Sequence, residues 1–233
     1  MFNSLLNLFR KKNKRIFLKN KGYNNVIEID NDITYQVKIN GNNNVVKIKY
    51  DEKIKSKKIR RNTRIRINIY GSNNTINIGE FNEYNNGCLN IDIGNYTGCD
   101  NVNIDIGKHL VVVNADIFAY QSGVPIKIGE DCLFSSGIVI RSGELPHIIY
   151  NIDTMQTLDD SEGIFIGNKV WLGQNVFVMK NVTVPNNTII GSCAVVTKRF
   201  KEENTVIAGN PAKVCKNNIG WAKTKDFATG LIS

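Results

Sequence analysis

Two side chains suited to chemistry lie at the longest break in an otherwise periodic sequence: His147 is inside the break, and Trp171 follows it. His147 lies in the irregular stretch IRSGELPHIIYNIDTMQTLDDSEGIFIG, whereas the only other histidine, His109, lies in the regular stretch IGKHLVV. A neutral imidazole can take a proton from a hydroxyl and later return it to a leaving group. Loops that interrupt a regular scaffold often carry function. We therefore interpret His147 as a candidate functional residue and His109 as a structural or surface residue at a corner.

The regular scaffold is indicated by branched aliphatic residues at every sixth position: Ile166, Leu172, Val178, Val184, Ile190 and Val196. Six residues turn a helix by roughly 240°, so this spacing forms no single helical stripe. A second set lies two places earlier: Val170, Val176, Val182, Thr188 and Ala194. Residues two apart face the same side of a strand. The spacing predicts very short strands that are joined by corners and share one inward-facing row.

The same pattern extends toward the N-terminus. It places Ile128, Phe134 and Ile140 at six-residue steps, with Cys132 as a small core residue. Farther upstream, the stretches GYNNVIEI, GNNNVVKI and GSNNTINI begin at Gly22, Gly41 and Gly71. Repetition over most of a chain is typical of a solenoid, in which each coil contacts only its neighbours.

If Val170 and Leu172 face inward, Trp171 faces outward. The equivalent outward positions of the later hexads are mostly apolar: Phe177, Thr183, Ile189 and Val195. A large exposed apolar row needs a cover, which the C-terminal segment or another subunit can supply.

The hexads, the stretch GNKVWLG and the stretch AGNPAKV (208–214) resemble the hexapeptide-repeat acyltransferases over roughly residues 70–216. That resemblance implies an all-β fold, a left-handed parallel β-helix with an extruded active-site loop and a short C-terminal helix. We expect a basic N-terminal segment (1–21), a β-helix (22–200) and a C-terminal tail (201–233). Within the β-helix, the coils are expected to be irregular to about 70 and regular after about 126, with the loop at 141–163. The family also implies a trimer with active sites between subunits.

In the sugar O-acetyltransferases of this family, the catalytic histidine lies on such a loop, at a fixed interval before the tryptophan of a VWIG motif. His147 precedes Trp171 by that same interval. The resemblance implies acetyl transfer from acetyl-CoA to a sugar hydroxyl, with His147 as the base and Trp171 lining the cleft. Glu144 is the candidate to orient the imidazole, although relatives place Asp or Gly just before the histidine. Backbone N–H groups at Gly173 or near Ser142–Gly143 are candidate oxyanion donors.

The resemblance also implies where coenzyme A binds. The positions expected to contact its pantetheine arm, beside Trp171, are Gly173, Gln174, Gly191, Ser192 and Ala194. The positions expected to contact its phosphates are Thr197, Lys198, Lys213 and Lys216. Trp221, in the tail, is expected to anchor that segment on the outside of the solenoid.

The acceptor is less narrowly defined. Resemblance to the sialic-acid and capsule O-acetyltransferases favours a bacterial surface glycan, and a small acceptor such as an antibiotic, a free sugar or a nucleotide-linked amino sugar is the alternative. A zinc enzyme on the same scaffold would need three histidines as ligands, and the chain has two, so no metal is expected. A non-catalytic scaffold would have no use for a histidine-bearing loop, an outward tryptophan and a phosphate-binding tail together.

The net charge of +9 is concentrated at Arg10–Lys21 and Lys53–Arg66. Such a field attracts anions, which makes coenzyme A phosphates, an acidic glycan and the inner membrane face candidate partners. Nucleic acid is disfavoured because these clusters contain almost no aromatic residues. The five cysteines form no CxxC pair, and no apolar run could span a bilayer. These features predict a cytoplasmic protein.

Overall fold

All regular elements are β-strands in the computed structural model, which describes residues 16–30, 33–50, 64–81, 87–95, 97–158 and 161–222. In chain order the strands are β1 (Ile16–Lys21), β2 (Val26–Ile29), β3 (Thr34–Asn40), β4 (Val45–Tyr50), β5 (Arg64–Tyr70), β6 (Thr75–Phe81), β7 (Cys88–Ile93), β8 (Asn103–Ile106), β9 (Val111–Val112), β10 (Asn114–Ala119), β11 (Pro125–Ile128), β12 (Leu133–Phe134), β13 (Ile138–Arg141), β14 (Ile164–Ile166), β15 (Trp171–Leu172), β16 (Phe177–Val178), β17 (Thr183–Val184), β18 (Ile189–Ile190), β19 (Val195–Val196), β20 (Val206–Gly209) and β21 (Ala212–Lys216).

These strands form three sheets that run along the solenoid. Sheet A has the order β1-β3-β5-β7-β10-β13-β16-β19, sheet B has β17-β14-β11-β8-β6-β4-β2, and sheet C has β21-β20-β18-β15-β12-β9. From β9 to β19 the chain visits C, A and B in turn, and each strand pairs in parallel with its equivalent one coil away. Among the strands named above, only the final pair, β20 with β21, is antiparallel. The described chain is a parallel β-helix with a triangular cross-section.

The aliphatic residues at every sixth position form the core. The aliphatic side chains of both predicted sets, from Val170 to Val196, are buried, and Cys132 is buried among them. Paired residues of successive regular coils are three hexads apart, as for Phe177 with Val195. Burying one aliphatic side chain contributes roughly 1.5–3 kcal/mol, so stacking of the inward row is the main stabilising term.

The corners need left-handed backbone. Lys169, Asn175, Asn181, Asn187 and Cys193 are six residues apart and all have φ between 53° and 61°. Asparagine tolerates this region better than most side chains, which explains its frequency at the corners. A corner at each sixth residue turns the chain onto the next sheet and keeps every strand very short.

The N-terminal coils are different, because the described residues before β9 contain strands of sheets A and B only. Buried asparagines connect their A–B corners. Asn44 accepts a hydrogen bond from the Asn74 amide (3.0 Å) and donates from its side chain to the Gly71 carbonyl (3.0 Å). Asn74 in turn donates to the Cys99 carbonyl (2.9 Å) and accepts from the Val102 amide (2.9 Å). This asparagine ladder satisfies corner backbone groups that would otherwise be buried without partners.

Some boundaries differ from those predicted. The solenoid begins before residue 22, because β1 already pairs with β3. Residues 217–222 contain no helix, and the rest of the predicted C-terminal helix lies outside the described residues. Residues 1–15 and 51–63, which contain most of the two basic segments, also lie outside the described residues. No helix long and apolar enough to cross a membrane, and no group of three metal-ligating side chains, occurs in the described part of the chain.

We predict that Asn74→Ala lowers the free energy of unfolding by about 3 kcal/mol, because it leaves the Cys99 carbonyl and the Val102 amide buried without partners. Chemical denaturation measures the change. Asn77→Ala is the matched control, since the outward Asn77 side chain bonds only another side chain, that of Asp105 (2.9 Å). Equal losses in the two variants would contradict a special role for the buried ladder.

Candidate active site

His147 lies on an excursion that leaves the solenoid at the corner between sheets A and B. A regular coil runs from Phe177 to its partner Val195, whereas the coil that contains His147 runs from Val139 to its partner Phe177. The second interval is more than twice the first, so this coil carries a long insertion. β13 ends at Arg141 and β14 begins at Ile164, so all the extra chain emerges between sheets A and B.

The distal part of the excursion is a small hairpin. Tyr150 and Thr157 form an antiparallel bridge, and the Leu158 amide donates to the Ile149 carbonyl (2.8 Å). The Asn151 side chain accepts from two amides of the turn. The hairpin exposes several large apolar side chains: Ile148, Ile149, Tyr150, Ile152, Met155 and Leu158. Among the residues that the structure describes, none covers this apolar surface.

The imidazole of His147 is exposed and has no hydrogen-bond partner among the residues that the structure describes. Its backbone amide donates to the Glu144 carbonyl (3.1 Å). The Glu144 carboxylate faces cations instead: Oε2 is 3.7 Å from Arg141 Nε, and Oε1 is 4.0 Å from Lys180 Nζ. Within one chain the Glu144 carboxylate is therefore engaged by two cations, and its orientation of the imidazole stays a prediction.

Arg141 is a residue of this region that the sequence did not single out. Its guanidinium lies over the Tyr120 ring, 5.0 Å from the centroid. Burial raises the pKa of the Tyr120 phenol, the Asp92 carboxylate raises it further and Arg141 opposes this, so the ring stays neutral at pH 7. Burial likewise raises the pKa of Asp92. Alternation along β13 places Arg141 on the outer face, but no sequence signal shows that it contacts the excursion.

Trp171 projects from sheet C, and its indole is held at two places. Nε1 donates to Ser135 Oγ (3.3 Å), and the ring lies 6.0 Å from that of Trp221, centroid to centroid. Trp221 Nε1 donates to the Lys169 carbonyl (2.8 Å), so the tail is anchored on the outside as predicted. The tilted contact of Trp221 with Trp171 was not predicted, because the tail lies beyond the periodic hexads.

Most of the small residues predicted for the cofactor groove lie at one corner of sheet C. Gly173 follows β15, and a Cβ there would meet the Ser192 nitrogen at 2.8 Å. The Gln174 amide donates to Ser192 Oγ (3.2 Å), and a Cβ on Gly191 would lie 2.9 Å from that of Ala208. Ala194 does not join them, because its side chain is fully buried in the core. The prediction that Ala194 lines the groove is therefore wrong for its side chain.

The predicted phosphate contacts separate into two groups. Thr197 and Lys198 are exposed between β19 and the Arg199 bridge to β17, which is the corner between sheets A and B. Lys213 and Lys216 are exposed on β21, at the end of sheet C. Within one chain, the first pair lies on the His147 side of the prism and the second pair lies on the Trp171 side.

His147 and Trp171 also lie on different sides of the prism. The corner between A and B is opposite sheet C in a triangular cross-section, and the start of the excursion is held at that corner by Tyr120 and Lys180. No hydrogen bond or ring contact joins the two side chains in the described structure.

Comparison with known proteins shows the family to which this chain belongs. No family model matches the chain. It is 34% identical over 212 residues to a polysialic acid O-acetyltransferase of Neisseria meningitidis, a match that covers 90% of this chain and 91% of that protein. The chain belongs to the hexapeptide-repeat sugar O-acetyltransferases. It is also 34% identical over 99 residues to a polysialic acid O-acetyltransferase of Escherichia coli O1:K1 / APEC, of which it spans only 32%.

Solved structures agree with this family. The polysialic acid O-acetyltransferase OatWY superposes with a TM-score of 0.64 at 29% identity, over 88% of this chain and 90% of that one. The polysialic-acid-specific acetyltransferase NeuO superposes with a TM-score of 0.68 at 23% identity, over 93% and 98%. These likenesses confirm the predicted left-handed parallel β-helix. This O-acetyltransferase is therefore an acyltransferase, as its sequence predicted.

We predict that the two indoles of this O-acetyltransferase, which are its only tryptophans, couple in near-ultraviolet circular dichroism. Because the rings lie 6.0 Å apart, the native spectrum should differ from the sum of the Trp171→Phe and Trp221→Phe spectra, with the double variant as the baseline. Strictly additive spectra would contradict the packing of the tail against Trp171.

Proposed function

We propose that this O-acetyltransferase transfers the acetyl group of acetyl-CoA to a hydroxyl of an acidic bacterial surface glycan, with His147 as the general base in a site shared by two subunits. The observation that carries the proposal is the 34% identity, over nine tenths of both chains, to an enzyme named for polysialic acid. The open imidazole on the excursion supports it independently, because a general base needs an uncommitted ring nitrogen that the acceptor can reach.

The proposed chemistry uses few groups of the chain. A sugar hydroxyl is a weak nucleophile at neutral pH, so its proton must leave as the C–O bond forms. His147 takes that proton, and the imidazolium later returns it to the departing sulfur as the C–S bond breaks. Acetyl-CoA, when bound, supplies an acyl group already activated as a thioester. General acid–base catalysis of this kind contributes about 10²–10⁴-fold, so positioning must contribute much of the rest.

The residues present fit a long thin acyl donor. Gly173, Gly191 and Ala208 follow one another across β15, β18 and β20, and Ala208 pairs with Lys213 on β21. Three strand spacings take this row about 14 Å from the Trp171 strand to the edge of sheet C. The next coil fills the space beside Gly173, and Gly191 lies against Ala208, so the row is a closely packed surface on which we propose that the amide chain lies. Lys213 with Lys216 at its end offers cations to phosphates. Trp171 then lies at the thioester end.

The proposed sharing of the site follows from the opposite placement of His147 and Trp171. A second copy that brings its sheet C against the excursion would unite them, and it would also bring Thr197 and Lys198 toward the partner's sheet C. The same contact would cover the apolar hairpin, including Ile152 and Met155. We propose the closed trimer that the family resemblance implies, in which this contact between unlike faces is repeated around a threefold axis.

An acidic acceptor is supported by the outer face of sheet A near the N-terminus. Five cations project from three adjacent strands there, and we call them the basic face: Lys19, Lys21, Lys38, Arg64 and Arg66. The outward row that contains Lys38 ends at Arg141, four strand spacings or about 19 Å from Lys38. A polymer can span this distance to the excursion, whereas a single sugar cannot.

The same chemistry bears on location. All five cysteines are free thiols in the structure, and the proposed donor is a cytoplasmic metabolite. We therefore place the reaction in the cytoplasm, before the glycan is exported.

We predict that His147→Ala reduces turnover of acetyl-CoA and a polysialic acid acceptor by about 10²–10⁴-fold while coenzyme A affinity stays within twofold. Release of free thiol measures turnover, and calorimetry measures binding. His109→Ala is the matched control, because His109 sits at a corner with Asp131 as its partner (3.3 Å). Unchanged turnover in His147→Ala would reject the base.

Mixed oligomers test the shared site in the same experiment. Co-assembly of His147→Ala with Trp171→Ala chains would create some sites that have both native side chains, because each mutant supplies what the other lacks. We expect about a quarter of native activity in a random mixture. If both residues acted within one chain, the mixture would be no more active than its components.

We predict that the double variant Lys38→Gln/Arg66→Gln raises KM for long polysialic acid about tenfold and weakens the salt dependence of KM, because it removes attractive charge from the basic face. The rate on a short oligomer should change little. Lys47→Gln on sheet B, where Lys47 pairs with Glu28 (3.1 Å), is the matched control. Equal effects on long and short acceptors would contradict the role of this face in holding a polymer.

A further inference from the structure

The start of the excursion, residues 143–147, belongs to no sheet, so its shape depends on side-chain contacts. Arg141, the last residue of β13, supplies most of them. Its Nε donates to the Gly143 carbonyl (2.8 Å) and its Nη2 to the Leu145 carbonyl (3.4 Å). Its Nε also lies 3.7 Å from Glu144 Oε2. One guanidinium therefore engages three consecutive residues of the segment that leads into His147.

The guanidinium is itself held by the preceding coil. It stacks on Tyr120, which belongs to the preceding coil, is almost fully buried and lies 5.5 Å from the Phe118 ring. Planar guanidinium groups stack well on aromatic faces, which a lysine ammonium does less effectively. The excursion rests directly on this platform, because a Cβ on Gly143 would lie 2.5 Å from the Tyr120 carbonyl oxygen.

The other side of the segment is held by the following coil. Lys180 approaches the Glu144 carboxylate at 4.0 Å, so Glu144 lies between a cation of its own coil and one of the next. The Glu144 carbonyl accepts the hydrogen bond from the His147 amide (3.1 Å). Contacts therefore run from Tyr120 through Arg141 and Glu144 to the backbone of His147, and we call these four residues the clamp.

We propose that Arg141 is a positioning residue for catalysis, which fixes the turn at 143–147 and thereby aims the imidazole of His147 at the acceptor hydroxyl. This inference rests on the proposed role of His147 as the base. It also gives Glu144 a function that its geometry allows, as a part of the clamp and not as a direct partner of the imidazole.

Kinetics of Arg141→Gln test the proposal. We expect kcat to fall about 10²-fold, because small misplacement of a catalytic group has effects of this size. KM for acetyl-CoA should change little, since Arg141 contacts none of the proposed donor row, and the melting temperature should change little because Arg141 lies on the outer face of β13. Arg141→Lys should recover only a small part of the rate, because an ammonium cannot hold two carbonyls and stack as a guanidinium does.

Arg199→Gln is the matched control. Arg199 pairs with Glu162 at the opposite end of the same excursion and has no contact with residues 143–147 in the described structure. If Arg141 merely stabilised the excursion, the two glutamine variants would have similar effects. Hydrogen exchange should show faster exchange at residues 143–158 in Arg141→Gln, with β16–β19 unchanged. Unaltered kcat, or unaltered exchange in that segment, would overturn the proposal.

A double-mutant cycle separates the two hypotheses. If Arg141 acts through His147, Arg141→Gln should have no further effect on the residual rate of His147→Ala. A full additional loss in that background would show that Arg141 acts in another way and would overturn the inference. If His147→Ala alone retained native activity, the base itself would be refuted, and that result differs from both outcomes for Arg141.

Discussion

The whole architecture depends on backbone hydrogen bonding between parallel strands of successive coils. Each coil must return to the same register on the coil beside it, because a slip of one residue would exchange the inward and outward side chains. Regular coils meet this requirement with three hexads, as the pairing of Trp171 with Ile189 and of Phe177 with Val195 illustrates. The aliphatic rows, the left-handed corners and the buried asparagines all serve this register.

The requirement also explains where function can reside. A side chain on a strand lies in line with the equivalent side chains of the neighbouring coils. In the regular coils the inward lines consist of core aliphatic residues, and the residues of the outward lines are one strand spacing apart. Extra chain fits only at a corner, where it leaves the ladder and does not disturb it. The single described excursion of this length therefore emerges between β13 and β14, and it carries the histidine that the regular coils have no means of presenting.

The periodic sequence made the fold predictable, whereas the contacts of the non-periodic segments could not be predicted. The burial of Val170 and Leu172 and the outward direction of Trp171 follow from strand alternation alone. Glu144 was assigned to the imidazole on sequence proximity, but its carboxylate faces Arg141 and Lys180, which come from a strand end and from the next coil. The contact of Trp221 with Trp171 likewise joins a non-periodic tail to a periodic strand. Contacts between periodic and non-periodic segments have no spacing that reveals them.

The sequence interval between His147 and Trp171 has a geometric meaning in this fold. The excursion leaves at one corner, and Trp171 appears on the opposite sheet after the chain has crossed sheet B. The described part of one chain therefore shows no contact between the proposed base and the proposed donor end, and within it the apolar hairpin is exposed. Because the excursion carries both the base and this apolar surface, subunit association and assembly of the site would be one event. Catalysis would then depend on the oligomer for positioning and not only for stability.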